Sequence, residues 1–369
     1  MARAANGLGK IMVGAAPVGR APVRAPFARP EGMHMSVWPT VAVLLGSAVV
    51  IYLSCEFFVN GVEWLGRKLA VGQKATGTIF AAFGTALPES VVTLVAVAFP
   101  AGPSSKALGV GAALGGPLAL STIAYATVGL VLILTRQRLA DTPDIRDDFR
   151  RLSRDQGWFL LIFAAKIAMG VVAFALKPWL GVLFLAAYSL YVRQELTAAA
   201  PEAEGELEPL KLQPRAENPS LAMAALQTLA ALAVVFAASR VFVAQLEQLG
   251  PAIGLPPQLL ALLFSPIATE LPETMNAIIW VRQGKHRLAL ANISGAMMIQ
   301  ATVPTALGLF FTPWRLDRPL LVGAAATGLA VAVMFTAFRN GLVSRKLLAA
   351  MSLVYLGFAA VLLTLHLAR

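Results

Sequence analysis

Long apolar runs separated by short polar stretches dominate this chain. Ten runs can be marked, at 36–60, 71–99, 107–134, 157–176, 178–193, 219–245, 255–281, 287–311, 318–338 and 347–367. Most approach the length of about 20 residues that a helix needs to cross a bilayer. Inside lipid every backbone N–H and C=O must be satisfied within the segment, so these runs are predicted as helices rather than open strands. The expected fold is an all-α polytopic membrane protein with ten transmembrane helices.

The polar stretches refine that picture. Residues 1–35 are rich in Ala, Pro and Gly, carry five basic residues against Glu31, and lack the continuous apolar core of a secretory signal. They are read as a basic disordered tail, or as a start assigned too early, with Met33 or Met35 as the first residue. In 135–156, Asp141, Asp144, Asp147 and Asp148 stand around Thr142-Pro143 and are followed by Arg150, Arg151 and Arg154. Acids first and bases last suit a helix dipole, so a short surface helix is expected there. Residues 194–218 are acidic and Pro-containing, and read as a linker between 36–193 and 219–368.

Lys and Arg number eighteen in the loops after odd-numbered runs and four in those after even-numbered runs. The positive-inside rule then puts the odd loops and the 194–218 linker in the cytoplasm and both termini outside, here for a bacterial inner membrane. The same distribution disposes of a nucleic-acid partner. The net charge of +11 sits between apolar runs, not in a basic stripe interleaved with aromatics. Cys55 stands alone, and His34, His286 and His366 share no ligand spacing, so neither a disulfide nor a thiol or histidine metal site is expected. No cofactor is expected.

Sliding the chain on itself by 184 residues reveals a repeat. Between residues 54 and 90 it gives ten identities without a gap, including Leu65-Gly66 with Leu249-Gly250 and Leu87-Pro88-Glu89 with Leu271-Pro272-Glu273. Five runs per half is an odd number, so the second half enters the membrane inverted. Inverted repeats with interrupted helices meeting at the midplane are a recurrent transporter design.

The repeated stretch carries the chemistry. Proline has no N–H, so Pro88 and Pro272 free the carbonyls of Gly84 and Ala268. A freed carbonyl in lipid needs a partner, and a hard cation is one. Glu89 and Glu273 follow directly. A buried acid at a helix centre costs about 2.5–3.5 kcal/mol even on a lenient scale, which argues for a countercharge. No Lys or Arg lies within a helical turn of either glutamate, so a mobile cation is expected. Two protonated glutamates in a packed core are the alternative. Thr85 and Thr269, four residues earlier, share a face with each Glu and could add hydroxyl oxygens or bond back to the preceding turn. Glu270, whose mate is Ala86, adds a third carboxylate. Three close carboxylates cannot all ionise cheaply, which makes Glu270 a candidate proton carrier; it could instead support another cation or face a vestibule. Asn292 is a candidate carbonyl ligand or helix–helix glue, and Gln300 a weaker one. In the first half, Gly109–Gly116 is almost without polar side chains. Of the other intramembrane charges, Glu56 and Arg240 could pair, Lys166 is read as snorkelling to the interface, and Glu63 and Glu247 as interfacial.

At these residues the chain resembles the calcium/cation antiporter superfamily, which includes the sodium/calcium exchangers. Gly84-Thr-Ala-Leu-Pro-Glu89 and Ala268-Thr-Glu-Leu-Pro-Glu273 are similar to its Gly-Thr-Ser-Leu-Pro-Glu pattern, and Ala291-Asn-Ile-Ser-Gly295 to part of its Gly-Asn-x-x-Gly-Ser-Asn pattern. The departures are Ala86, Ala268 and Glu270 in the first pattern, Ala296-Met297 in the second, and Ala112 where the first half would carry the asparagine. The resemblance implies ten helices in two inverted five-helix repeats, termini outside. It implies secondary active antiport of Ca²⁺ against Na⁺ or H⁺ by alternating access. Glu89 and Glu273 would be central ligands with Thr85, Thr269 and Asn292 around them. A Na⁺/H⁺-type or other cation exchanger is the near alternative. Other classes are an intramembrane acid/base enzyme, which no HExxH or GxSxG motif supports, a cation channel built as a homo-oligomer, and a transport-inactive paralogue.

Overall fold

The computed structural model describes residues 37–69, 87–137, 139, 143–172, 176–198 and 207–367. All regular structure among them is helical. Helix α1 is Val37–Lys68, α2 Leu87–Ala98, α3 Ser105–Leu134, α4 Pro143–Val171, α5 Gly181–Ala198, α6 Leu221–Ile253, α7 Pro257–Thr269, α8 Leu271–Arg282, α9 His286–Phe311, α10 Arg318–Arg339 and α11 Arg345–Leu367. Six of these, α1, α3, α6, α9, α10 and α11, are long and apolar enough to cross a membrane by themselves. Their outer faces expose Leu53, Leu229, Leu353 and Leu356, among other large apolar residues. In a bilayer that surface meets lipid, so no hydrophobic penalty attaches to it.

Two helices differ from expectation. The short surface helix over 135–156 is not a separate element: its described part is the start of α4, which runs without a break through 29 residues into the apolar run. Thr142 lies outside the described residues. Helix α3 contains a single π turn at Leu120–Ala124, just after Pro117. Proline removes one rung of the helical ladder there, and the Thr122 and Ser121 hydroxyls turn back onto the Leu118 carbonyl.

Packing follows the small residues. Helix α1 lies along α6, and a Cβ on Gly61 would fall 2.5 Å from Thr228 Oγ1. Helix α3 packs on α7, where a Cβ on Gly115 would sit 2.7 Å from the Leu262 carbonyl oxygen. Small side chains let membrane helices approach this closely. Helix α4 packs on α10, α9 on α4 and α5, and α11 on the second half of α3. The space between them is filled by Leu114, Leu118, Phe159, Met297 and Met298. Glu247 of α6 reaches the start of α3, accepting from Ser104 N at 2.6 Å and Ser105 Oγ at 3.2 Å, where a helix N-terminus favours an acid.

The described part of the linker, 207–218, is docked onto α1 and α6. Asn60 Nδ2 donates to the carbonyls of Glu208 and Pro209, both at 3.3 Å, and Trp64 Nε1 to Glu208 at 2.9 Å. Asn60 Oδ1 accepts from Lys211 N at 3.0 Å, and Gln227 Oε1 from Leu212 N at 2.8 Å. The same segment corrects the expected Glu56–Arg240 pair. Glu56 is bridged to Lys211 at 3.0 Å, while Arg240 is exposed.

Candidate cation site

The helix break predicted at the second repeated stretch is present. Helix α7 ends at Thr269, Glu270 leaves helical geometry at φ −99° and ψ 2°, and α8 begins at Leu271. Pro272 explains the break, because it cannot return a hydrogen bond to Ala268. Glu270 N closes α7 on the Pro266 carbonyl at 2.9 Å. Its own carbonyl opens α8, accepting from Thr274 N at 3.1 Å and Thr274 Oγ1 at 2.9 Å. Glu273 then falls in the first turn of α8, where the helix dipole favours a negative charge. Of the first stretch, Gly84 and Thr85 lie outside the described residues; α2 begins at Leu87 and carries Glu89 in its first described turn.

Glu89, Thr269, Glu270 and Glu273 are all buried. Three of them converge. The Thr269 hydroxyl lies 2.9 Å from Glu270 Oε1 and 3.2 Å from the Ser265 carbonyl, and it also interacts with Glu89. The charges of Glu89 and Glu270 repel one another. Glu89 Oε1 accepts from Thr93 Oγ1 at 3.4 Å. Glu273 also acts electrostatically on Cys55 of α1.

Gln300, which the sequence ranks below Asn292, is the α9 residue that reaches this cluster. Its Nε2 donates to Glu270 Oε2 at 2.6 Å. Room for the pair comes from α3: a Cβ on Gly116 would lie 2.6 Å from Gln300 Oε1 and 3.0 Å from Glu270 Oε1. Asn292 sits two turns earlier on α9, half-buried, and its buried Nδ2 has no hydrogen-bond partner among the described residues.

Among the described residues, no three acidic, histidine or cysteine side chains close on one metal-sized centre. A cation here would therefore draw on hydroxyl, amide and carbonyl oxygens as well as carboxylates. Such oxygens are present. Glu89 Oε2, Gln300 Oε1 and Ser265 Oγ are buried and have no hydrogen-bond partner among the described residues. Buried polar atoms are ordinarily satisfied, because leaving one unpaired costs about 1–3 kcal/mol.

Lys166 corrects the sequence reading most sharply. It does not snorkel: it is wholly buried in α4, and its ammonium points inward to the carbonyls of Ala113 at 2.7 Å and Gln300 at 3.3 Å. Lys166 and Glu89 act on each other electrostatically. A basic side chain thus acts electrostatically on a glutamate for which the nearby sequence offers none.

Comparison with known proteins bears on the family and the fold. A family model described as sodium/calcium exchanger protein matches residues 39–194 and 223–366. The inner membrane protein YrbG of Escherichia coli strain K12 is 25% identical over 283 residues, covering 75% of this chain and 81% of YrbG. A crystal structure of the H⁺/Ca²⁺ exchanger CAX superposes with a TM-score of 0.62 at 15% identity, over 86% of this chain and 87% of that one. A structure of the sodium–calcium exchanger NCX_Mj gives a TM-score of 0.55 at 17% identity, over 88% and 99%. At such identities the two structures speak to the fold alone.

Proposed function

The chain belongs to the sodium/calcium exchanger protein family, and from that premise we propose that it is a secondary active cation antiporter of the bacterial inner membrane. It exchanges Ca²⁺ for Na⁺ or H⁺ by alternating access at a midplane site around Glu89 and Glu273. Helices α1–α5 form one five-crossing repeat and α6–α11 its inverted counterpart, with α7 and α8 as one interrupted crossing. Both termini lie outside and the 194–218 linker in the cytoplasm. The helix pairings support this: α1 with α6 and α4 with α10 join equivalent positions, and α3 with α11 is matched by α9 with α5.

One observation carries the ion-binding reading. Among the described residues Glu89 Oε2 and Gln300 Oε1 are buried without donors, and Glu89 and Glu270 repel one another. Ca²⁺ takes about 6–8 oxygens and Na⁺ is likewise an oxygen-seeking ion, so a cation would relieve both defects at once. Glu89 and Glu273 supply charge, Thr85, Thr269 and Asn292 polar side chains, and Gly84 and Ala268 the carbonyls released by proline. Glu270, held by Gln300 and Thr269, is the candidate proton carrier. The activity is transport, with inorganic cations as substrates and no cofactor.

Proteoliposomes loaded against a Na⁺ gradient or a H⁺ gradient provide the test. At least one gradient is expected to drive radiolabelled Ca²⁺ uptake, and Glu273→Gln to reduce it to background and to remove cation-dependent thermal stabilisation. Absence of flux with both gradients, together with an unchanged cation response in Glu273→Gln, would end this reading.

A further inference from the structure

The two carbonyls that hold Lys166 have a common cause. Ala113 stands four residues before Pro117 on α3, and Gln300 four residues before Pro304 on α9. In a helix each carbonyl would accept from the N–H four residues on, and proline has none. Lys166 Nζ therefore sits on two carbonyls that two different helices leave open, at 2.7 and 3.3 Å. The same physical argument led the sequence reading to expect a cation at carbonyls freed by proline. Here the cation is tethered to the chain.

Its surroundings suit a charged group. The rings of Phe163 and Trp314 flank the ammonium, with centroids 5.8 and 5.9 Å away, as cation–π attraction favours. Trp314 Nε1 donates to the Lys166 carbonyl at 3.1 Å and anchors that turn of α4. From α2, Glu89 faces it electrostatically. From α7 and α9, Gln300 links it to Glu270: the backbone carbonyl takes the ammonium and the side chain holds the carboxylate. Satisfying two carbonyls needs only a neutral donor. Burying a full charge for that purpose is costly unless an opposite charge compensates it, and Glu89 is the carboxylate that acts on it electrostatically.

We propose that the Lys166 ammonium is a resident cation of the transport site, filling a carbonyl pair that a monovalent ion would otherwise take and opposing Glu89 with a fixed positive charge. The inference rests on the exchanger reading. It deepens that reading by giving the site one positive charge that never leaves, so the transported ions must bind against it. The lysine comes from α4 and serves the first half, where Gly109–Gly116 offers backbone oxygens and almost no polar side chains.

Thermal unfolding of the purified full chain tests this, in choline chloride and in titrations with NaCl or CaCl₂. Lys166→Met keeps the length and removes the charge. It is expected to lower the unfolding midpoint in choline, to reach half-maximal stabilisation at about tenfold less Na⁺, and to regain most of the lost stability when combined with Glu89→Gln. Lys166→Arg keeps the charge and is expected to hold the wild-type Na⁺ midpoint; it also serves if Lys166→Met fails to fold, since a tighter Na⁺ midpoint in Lys166→Arg contradicts the proposal. An unchanged Na⁺ midpoint in Lys166→Met, with losses that simply add in the double variant, overturns it and leaves Lys166 a structural pin. If wild-type protein responds to no cation, the exchanger reading has failed; rescue of Lys166→Met by Glu89→Gln in choline then decides the charge pairing by itself.

Discussion

The two halves of the site carry related sequence stretches and, among the described residues, different chemistry. The second half supplies side-chain oxygens from its own helices: Thr269 and Glu270 at the break between α7 and α8, and Gln300 on α9. Among its described residues, the first half supplies one carboxylate, Glu89, with the Thr93 hydroxyl beside it. Gly115 and Gly116 let α3 approach α7 and the Gln300–Glu270 pair, and the carbonyl freed by Pro117 is occupied by a lysine from α4. A pseudo-symmetric scaffold thus does not require symmetric ligands. One half can act as a close-fitting wall while the other carries polarity, provided that charge is balanced across the interface.

Substitutions at equivalent depths should separate wall from ligand. The largest effect is expected at Gly115→Ala, whose methyl would press on the Leu262 carbonyl oxygen at 2.7 Å, a backbone atom with little room to yield. Overpacking of this kind costs about 1–3 kcal/mol. Thermal unfolding should show that loss, and cation flux should fall with it. Glu270→Ala comes next. It makes the two stretches alike, since Ala86 is the mate, and should abolish H⁺-driven flux while sparing any Na⁺-driven flux in proteoliposomes. An unaltered pH dependence would remove Glu270 from the proton path. The smallest effect is expected at Gly295→Ala on α9, where a Cβ meets nothing within 4 Å. Alanine is the better helix former by about 1 kcal/mol, so stability should hold or rise slightly. A large loss there would mean that the second half is as tightly walled as the first.

Much of the fold was legible in sequence because lipid imposes a simple rule. A long apolar run must be a helix, and Pro272 inside such a run was a place for it to break, as it does at Glu270. The merging of the 143–156 segment into α4 was hidden by its charge pattern, which suits the first turns of a long helix as well as it suits a short one. The interior face of a helix was harder to read. A lysine in an apolar run looks the same whether it reaches outward or inward; the rotation of α4 against α9 and α10 decides, and no local pattern encodes it. Gln300 was ranked below Asn292 because the family pattern marks Asn292, whereas Gln300 gains its place from Gly116 across the interface. The Glu56–Arg240 pairing failed for a similar reason. Pseudo-symmetry suggested it, but the linker brings Lys211 to Glu56 first.

The carbonyls beneath Lys166 also bear on how the protein is made. Ala113 is synthesised before the lysine and Gln300 long after it, so during translation the ammonium has one of its two acceptors. Helix α4 is also not among the six helices apolar enough to settle in lipid unaided. The carbonyl pair beneath its lysine is complete only once α9 is in place. The nascent first half is thus a biosynthetic intermediate with an unfinished polar interior.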